Sequence, residues 1–548
     1  MSTALSCVRG RPLDEEPGQG AHTIPAYLEE VRARYGSRDA VIMRTQYQRV
    51  CWSYDELHAR SAAVAKALIA AGMGKDARIG VLMANRPEYL ACVFGIAMAG
   101  GVTVALSTFS TPDELAHLIR ASAVETLFFD TRVLKKDFAA MLAPIDDLPF
   151  LNHLIQLDSV TDAAPAAGNF ESWDDFLAAG AHVADSIVTA RAASVTPCDM
   201  GGIFFSSGTT SLPKGIIHSQ RAFCIQWWRW PRVFAMRERV TSWTGNGLFW
   251  SGNISLVIGS ALSTGGAAVL QPVFDAGAAL DVIEQERVTF LTGRPHQWAR
   301  VQAAENWASA DLSSLKYVTK GELIGEHPTV RTDWTTPMAF GTTETMTICT
   351  AFDAETSETD YAGSTGAPLP GNMLKIVDPV TRAIVPVGQH GEMCIKGPTL
   401  MSGYLGKAAE ECFDENGYYR TGDGGRVDEA GRFFWEGRLT DMIKTGGANV
   451  APEEVDAAIA AYPGVKRSQT VGVPDDLLGE MVVACIVPLD GVAIMEDALI
   501  AHLKGQMASF KVPRRVLLLD EAEFALTGNE KAKAADIRAV AVAKLASA

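Results

Sequence analysis

Apolar and polar positions alternate along the first four hundred residues with two different periods. Tyr54 to Ala71 is alanine-rich with apolar residues three and four apart, which predicts a helix. Arg78 to Met83 is a short apolar run and predicts a strand. Arg86 to Ala99, with Pro87 near its start and Gly100-Gly101 after its end, predicts a second helix. Val102 to Leu106 reads as strand, Asp113 to Ser122 as helix and Thr126 to Phe129 as strand. Strands alternating with helices imply parallel sheets covered by helices. Gly371 to Pro398 breaks that rhythm. Its short apolar runs, Leu374 to Val377 and Glu392 to Ile395, lie between Gly and Pro turns and predict a small antiparallel β unit.

After Arg438 the character changes. Asn449 to Tyr462 predicts a helix with Pro452-Glu453-Glu454 in its first turn, where acidic groups suit the helix dipole. Val471 to Val473 and Met481 to Val487 predict strands, and Ala498 to Met507 a helix. This unit has about 110 residues, a normal size for a domain. The boundary is expected near Arg438-Leu439-Thr440-Asp441. The expected fold is therefore α/β: a large N-terminal domain (1–437) of parallel sheets flanked by helices plus the small β unit, and a small mobile α+β C-terminal domain (438–548).

Composition narrows the function. With 548 residues, 48% of them hydrophobic and 20% charged, the chain can build a full core in more than one domain. A formal net charge of −16 makes it a poor general partner for nucleic acid. Nine scattered cysteines without a Cys-x-x-Cys pair suit a reducing, cytoplasmic setting. Met1 to Gly20 carries acidic residues and no long apolar core, so no signal peptide is expected. Val240 to Phe274 has no charged residue, but its glycines, Asn246, Asn253 and Gln271 break it up. A membrane span needs about 20 predominantly apolar residues in a row, so this stretch is expected to be buried helix and strand. No motif encodes the oligomeric state, and a homodimer is left open.

The most informative run is Phe205-Ser206-Ser207-Gly208-Thr209-Thr210-Ser211-Leu212-Pro213-Lys214-Gly215. Such a loop can wrap polyphosphate: glycine admits the backbone, hydroxyls and N–H groups donate, and lysine adds charge. It is not the common P-loop, which has Gly before and Ser or Thr after its Lys. The alternative is an ordinary surface turn. Phe340-Gly341-Thr342-Thr343-Glu344 offers an aromatic face and a carboxylate, or else a solvated strand end. Tyr419-Arg420-Thr421-Gly422-Asp423 offers a carboxylate that accepts hydroxyl donors, or else an acidic turn.

These runs, in this order, resemble the signatures of adenylate-forming enzymes, the group that includes acyl-CoA synthetases, amino-acid adenylation domains and beetle luciferases. The resemblance extends from about Trp52 to Lys531. It implies a phosphate-binding segment formed by Ser206, Ser207, Gly208, Thr209, Thr210 and Lys214. It implies a purine and phosphate segment in Phe340, Gly341, Thr342 and Thr343, with Glu344 and Thr209 at Mg²⁺, and ribose binding by Asp423. Arg438 would contact the nucleotide and Thr440 would be the hinge. Lys444, Gly446 and Gly447 would face the pantetheine arm. Trp250, Trp228, Gly321 and Glu322 would wall the carboxylate pocket, although core packing is the competing reading of Trp228. The catalytic lysine aligns with Lys531, and Lys533 is the other candidate. Ser211, Thr440, Ala448 and Glu530 depart from the family pattern.

The activity implied is ATP-dependent ligation of an apolar carboxylic acid to coenzyme A through an acyl-adenylate. Lys531, Glu344 and Thr209 would be its catalytic residues, with ATP, Mg²⁺ and coenzyme A as cofactors and co-substrates. Transfer to a carrier protein, a luciferase-like oxygenation and a non-catalytic nucleotide-binding role are the alternatives.

Overall fold

The structure is a computed structural model that describes residues 4–46, 48–145, 147–160, 170–206, 213–319, 322–335, 338–352, 356–361, 363–439, 441–445, 448–475, 477–504, 506–507, 510–526 and 532–546. The helices and strands expected in the first domain form within a residue or two of their expected ends: Tyr54–Ala70, Arg78–Leu82, Pro87–Met98, Val102–Ala105, Pro112–Ala121 and Thr126–Asp130. Their ends carry the chemistry that stops and starts helices. Ser53 and Glu56 form a reciprocal capping box at one helix, and Thr111 and Glu114 form one at another.

Two sheets of mostly parallel strands dominate. The first runs Glu171–Ser172, His153–Leu157, Thr126–Asp130, Arg78–Leu82, Val102–Ala105, Met200–Ser206, Lys214–Ser219 and Gly403–Tyr404. It is parallel up to Met200–Ser206, and the last two strands are antiparallel additions. The second runs Phe290–Thr292, Thr241–Thr244, Ala267–Leu270, Asp39–Arg44 and Arg49–Ser53, with only the last strand antiparallel. The uncharged stretch from Val240 supplies two of these strands, Thr241–Thr244 and Ala267–Leu270, and the buried helix Ile258–Ser263. No described helix is long and apolar enough to cross a membrane.

The helix Pro87–Met98 binds the two sheets together. All of its residues but Glu88 are buried. Its Leu90 and Phe94 share one apolar cluster with Ile79, Val81 and Phe128 of the first sheet and with Val41, Ala268 and Leu270 of the second. An all-round hydrophobic helix is stable only in such a place. Its neighbour Tyr54–Ala70 comes so close that a Cβ on Gly95 would lie 2.6 Å from the Ser61 carbonyl oxygen and 2.7 Å from the Val64 Cβ.

The small antiparallel unit also forms, and it is larger than expected. Met373–Val377, Gly391–Lys396, Tyr419–Val427 and Phe433–Arg438 make a sheet, and Cys7–Arg9 closes its edge. The chain leaves this sheet at Arg438 and enters another at Ile443. That C-terminal sheet is built on a long hairpin, Val465–Asp475 against Gly479–Pro488, joined by Ile443–Thr445, Ala448–Val450 and Arg515–Leu518.

One expectation needs correcting here. The helix expected from Asn449 begins at Pro452, because Ala448–Val450 pairs as a strand and the residue before a proline is held extended. The helix Ala534–Ala546 was not anticipated from the pattern.

Gly95→Ala is expected to lower the stability of the large domain by about 1–3 kcal/mol, since two helix backbones would have to part. A fall in the thermal midpoint, with unchanged secondary structure by circular dichroism, checks it.

Candidate active site

The phosphate-type run bridges two antiparallel strands. Met200–Ser206 ends with Ser206 opposite Lys214, the first residue of Lys214–Ser219. Residues 207–212, among them Ser207, Gly208, Thr209 and Thr210, lie outside the described residues. The run therefore begins at the carboxyl end of a strand of a parallel sheet, where open α/β sheets bind ligands. Exposed Lys214 holds its ammonium 5.7 Å from the centre of the Tyr404 ring.

Tyr404 joins this lysine to the next segment. Its hydroxyl donates to Glu344 Oε1 at 2.8 Å and lies 2.9 Å from the Tyr419 hydroxyl. Burial and the adjacent Glu344 carboxylate push both phenols up, so both stay protonated. Phe340, on the strand Ala339–Thr342, packs 5.4 Å from Phe433 and 6.2 Å from Trp435. Gly341 has no room for a side chain, because a Cβ there would lie 1.7 Å from the Thr347 carbonyl oxygen.

Asp423 is 2% exposed. One oxygen, Oδ1, accepts the Trp435 indole N–H at 3.1 Å and lies 3.3 Å from Arg438 Nε. Arg438 also donates to the Thr421 carbonyl at 2.9 Å. The other oxygen, Oδ2, is buried and has no hydrogen-bond partner among the described residues. Burial raises this carboxyl above the usual carboxylate range, against the pull of Arg438 and Trp435. A buried acceptor without a donor costs about 1–3 kcal/mol. A ligand that brings hydroxyl donors to Oδ2 recovers that cost.

The structure thus gathers Lys214, Phe340, Glu344, Asp423 and Arg438 from four segments far apart in sequence. Tyr404 and Trp435 complete the group and were not singled out from sequence. Each is one aromatic residue among many, and nothing local marks it. His218 and Gln226, buried behind the Thr343–Thr345 turn, were missed for the same reason.

A cavity of about 500 Å³ opens beside Trp250. Its walls come from the segments that follow three parallel strands of each main sheet: Met83 to Asn85, Thr108 and Phe109, and Val133 to Lys136 from the first; Gly245 to Gly247, Pro272 to Phe274, and Arg294 from the second. Phe249, Trp250 and Phe274 give it aromatic walls. Lys135, Lys136, Arg294 and Arg300 make it cationic, and no carboxylate among the described residues lines it.

Trp228 does not belong to this cavity, which corrects its expected place there. Its indole N–H donates to the Ala21 carbonyl at 3.1 Å and its ring packs 4.7 Å from Tyr27. It borders a separate open cleft with Arg11, Arg34, Arg232 and Arg237. There Arg34 and Arg232 sit in the last turns of their helices, where a cation answers the helix dipole.

The remaining expected residues are dispersed or undescribed. Glu322 is exposed at the start of the short turn Leu323–Glu326. Lys444 is exposed and its backbone N–H donates to Glu480 at 2.8 Å. Gly321, Thr440, Gly446, Gly447 and Lys531 lie outside the described residues. Among the described residues no three His, Cys, Asp or Glu side chains could cage a metal.

Comparison with known proteins identifies the fold and the family. The fold is that of the anthranilate CoA ligase AuaEII, solved with anthranoyl-AMP (TM-score 0.78, 22% identity, 98% of this chain and 99% of that one). MatB from Rhodopseudomonas palustris, solved with ATP, is also similar (TM-score 0.74, 23% identity, 95% and 99%). The AMP-binding enzyme family model matches residues 28–405, and the AMP-binding enzyme C-terminal domain model matches residues 454–531. The chain belongs to the AMP-binding enzyme family, as an adenylate-forming enzyme of the acyl-CoA synthetase type.

Two curated relatives lie within that type. The indoleacetate–CoA ligase of Aromatoleum aromaticum is 31% identical over 500 residues, covering 90% of this chain and 94% of its own. The 3-[(3aS,4S,7aS)-7a-methyl-1,5-dioxo-octahydro-1H-inden-4-yl]propanoyl:CoA ligase of Mycobacterium tuberculosis is 30% identical over 519 residues, covering 91% and 95%.

Asp423→Asn puts an amide at a buried site that already holds an indole donor and a guanidinium. It is expected to weaken AMP binding about 10- to 100-fold, the range of a charge-assisted hydrogen bond. Isothermal titration of AMP into the folded variant measures it, and unchanged affinity would remove the carboxylate from the site.

Proposed function

We propose that this enzyme activates an apolar carboxylic acid with ATP and passes the acyl group to coenzyme A, releasing AMP and pyrophosphate. The observation that carries the reading is the buried, half-answered carboxylate of Asp423, set near Glu344 and the aromatic Phe340. A ribose supplies the two vicinal hydroxyl donors that Oδ2 lacks, and Phe340 offers a face to a purine. Lys214 stands where a triphosphate would need a cation.

In the first step a carboxylate oxygen of the acid attacks the α-phosphorus, and the bond to pyrophosphate breaks. The chain supplies position and charge neutralisation. Lys531 would bridge the acid and the α-phosphate. Lys214, with Ser206, Thr209 and Thr210, would hold the outer phosphates. Glu344 and Thr209 would hold Mg²⁺ carried in with the nucleotide, and that ion would supply charge neutralisation for the pyrophosphate. One carboxylate fits that ion better than a protein cage would, since Mg²⁺ binds through few carboxylates plus substrate phosphates.

In the second step the coenzyme A thiolate attacks the acyl carbon, the carbon–oxygen bond to the phosphate breaks, and AMP leaves. The region 438–548 would turn about Thr440 between the steps, exchanging Lys531 for Gly446-Gly447 and Lys444. The strand exit at Arg438 and re-entry at Ile443 support a pivot there.

The cavity beside Trp250 supports both apolar acid and phosphorylated thiol. Its aromatic walls suit an acyl or pantetheine chain, and its four cations suit the phosphates of coenzyme A. The names of the curated relatives, which include an indole acetate and a ring-bearing propanoate, favour a cyclic acid. We place the enzyme in the cytoplasm. A homodimer would not have to share residues of the site, because every residue named comes from one chain.

A panel of aliphatic, alicyclic and aromatic acids with ATP and coenzyme A is expected to yield AMP and free acyl-CoA in equal amounts. Pyrophosphate release without free acyl-CoA would transfer the reading to a carrier-protein enzyme. No pyrophosphate with any acid would leave a nucleotide-binding protein without catalysis.

Lys531→Ala is expected to abolish adenylation while sparing thioester formation from a supplied acyl-adenylate. Equal loss of both half-reactions would refute the role. Lys135→Glu reverses one exposed charge at the cavity. It is expected to raise KM for coenzyme A about fivefold and leave KM for ATP unchanged, as steady-state kinetics would show.

A further inference from the structure

We propose that His218, with Gln226 beside it, is a positioning residue for adenylation: it registers the Thr343–Glu344 turn against the strand that carries Lys214. The inference rests on the proposed function above and adds residues that no nucleotide atom need touch.

His218 lies four residues after Lys214 on the same strand, Lys214–Ser219, so both side chains leave the same face. Its imidazole is fully buried beside Phe204, with ring centres 6.1 Å apart. Nε2 lies 2.8 Å from the Thr343 carbonyl oxygen. A carbonyl can only accept, so Nε2 carries the proton and Nδ1 is a bare acceptor. Nδ1 is buried and has no partner among the described residues. Burial lowers the imidazole from its ordinary 6.5 to about 4, so the ring is neutral near pH 7. A leucine would fill the same space without burying an unanswered nitrogen. What the histidine adds is one donor, aimed at the turn that bears Glu344.

That turn needs holding. Met346 and Thr347, which follow it, have φ of 49° and 86°, left-handed values that cost free energy for residues with a Cβ. Gln226, fully buried on the helix Gln220–Val233, donates through Nε2 to the carbonyls of Met346 at 3.0 Å and Ile348 at 2.8 Å. The Met401 N–H donates to the Glu344 carbonyl at 2.7 Å. The strained turn is thus tied from behind by buried donors of the strand and helix that follow the phosphate run. Lys214 and Glu344 cannot shift independently while those bonds hold.

The test separates the half-reactions in the full-length enzyme. His218→Leu is expected to lower the adenylation rate at saturating ATP about 10- to 100-fold, read by ATP–pyrophosphate exchange. Thioester formation from supplied acyl-adenylate should stay within about twofold, because Mg²⁺ and the outer phosphates are gone by then. His218→Gln, which keeps a side-chain N–H donor, should recover most of the lost rate. Gln226→Met should show the same split, and it carries the test if His218→Leu does not fold. Unchanged adenylation in a folded variant, equal loss of both half-reactions, or a Gln variant no better than Leu would each overturn the inference. Glu344→Gln is the control. If it loses adenylation while His218→Leu does not, the positioning role alone fails. If it keeps adenylation, the reading of the site fails and takes this inference with it.

Discussion

The helix Pro87–Met98 cannot face water on any side, and the large domain is arranged around that constraint. Two sheets must cover it, one from each flank, and the apolar cluster it anchors runs without a break from Phe128 in one sheet to Leu270 in the other. Because most strands of each sheet run parallel, their carboxyl ends emerge together. The shared helix brings the ends of both sets to one place. The cavity beside Trp250 is what lies between them, and its walls are the segments that follow those strand ends, with Arg300 added from the helix Pro295–Gln302.

The candidate site around Asp423 is made differently. It sits where antiparallel strands are added to the parallel sheet and where the separate antiparallel sheet meets them. Polar groups are buried here and only partly answered: Asp423 Oδ2, Thr342 Oγ1 and His218 Nδ1 have no partners among the described residues. Buried ion pairs stand elsewhere in the fold. Arg229 and Glu16 are both buried and pair at 2.8 Å, and Arg86 pairs with Asp130 at 2.6 Å. An unanswered buried acceptor such as Asp423 Oδ2 holds free energy for a ligand to recover.

The chain then passes, within a few residues of Arg438, into a sheet of its own. Arg438 is the last residue of the strand that pairs with Asp423, so the exit of the large domain and the candidate ribose carboxylate are one structural unit.

Much of this was legible in the residues. Each strand and helix between Tyr54 and Asp130 carries its own period, its own cap or its own stop, so local energetics suffice to place it. The runs around Lys214, Glu344 and Asp423 were legible because their chemistry is compressed into a few neighbouring positions. The pairing of Cys7–Arg9 with Met373–Val377 was not, because the partners are separated by most of the large domain and neither strand specifies the other. Tyr404, Trp435, His218 and Gln226 are single residues whose meaning lies wholly in what faces them. Trp228 and Trp250 look alike in sequence, yet one is a packed core ring and the other a cavity wall. The sequence alone determined the alternating elements, the change of character after Arg438 and the family chemistry, since those follow from short-range pattern. Only the tertiary structure decided which polar atoms are left without partners and which aromatic ring meets the cavity, because burial and contact are properties of segments brought together across hundreds of residues.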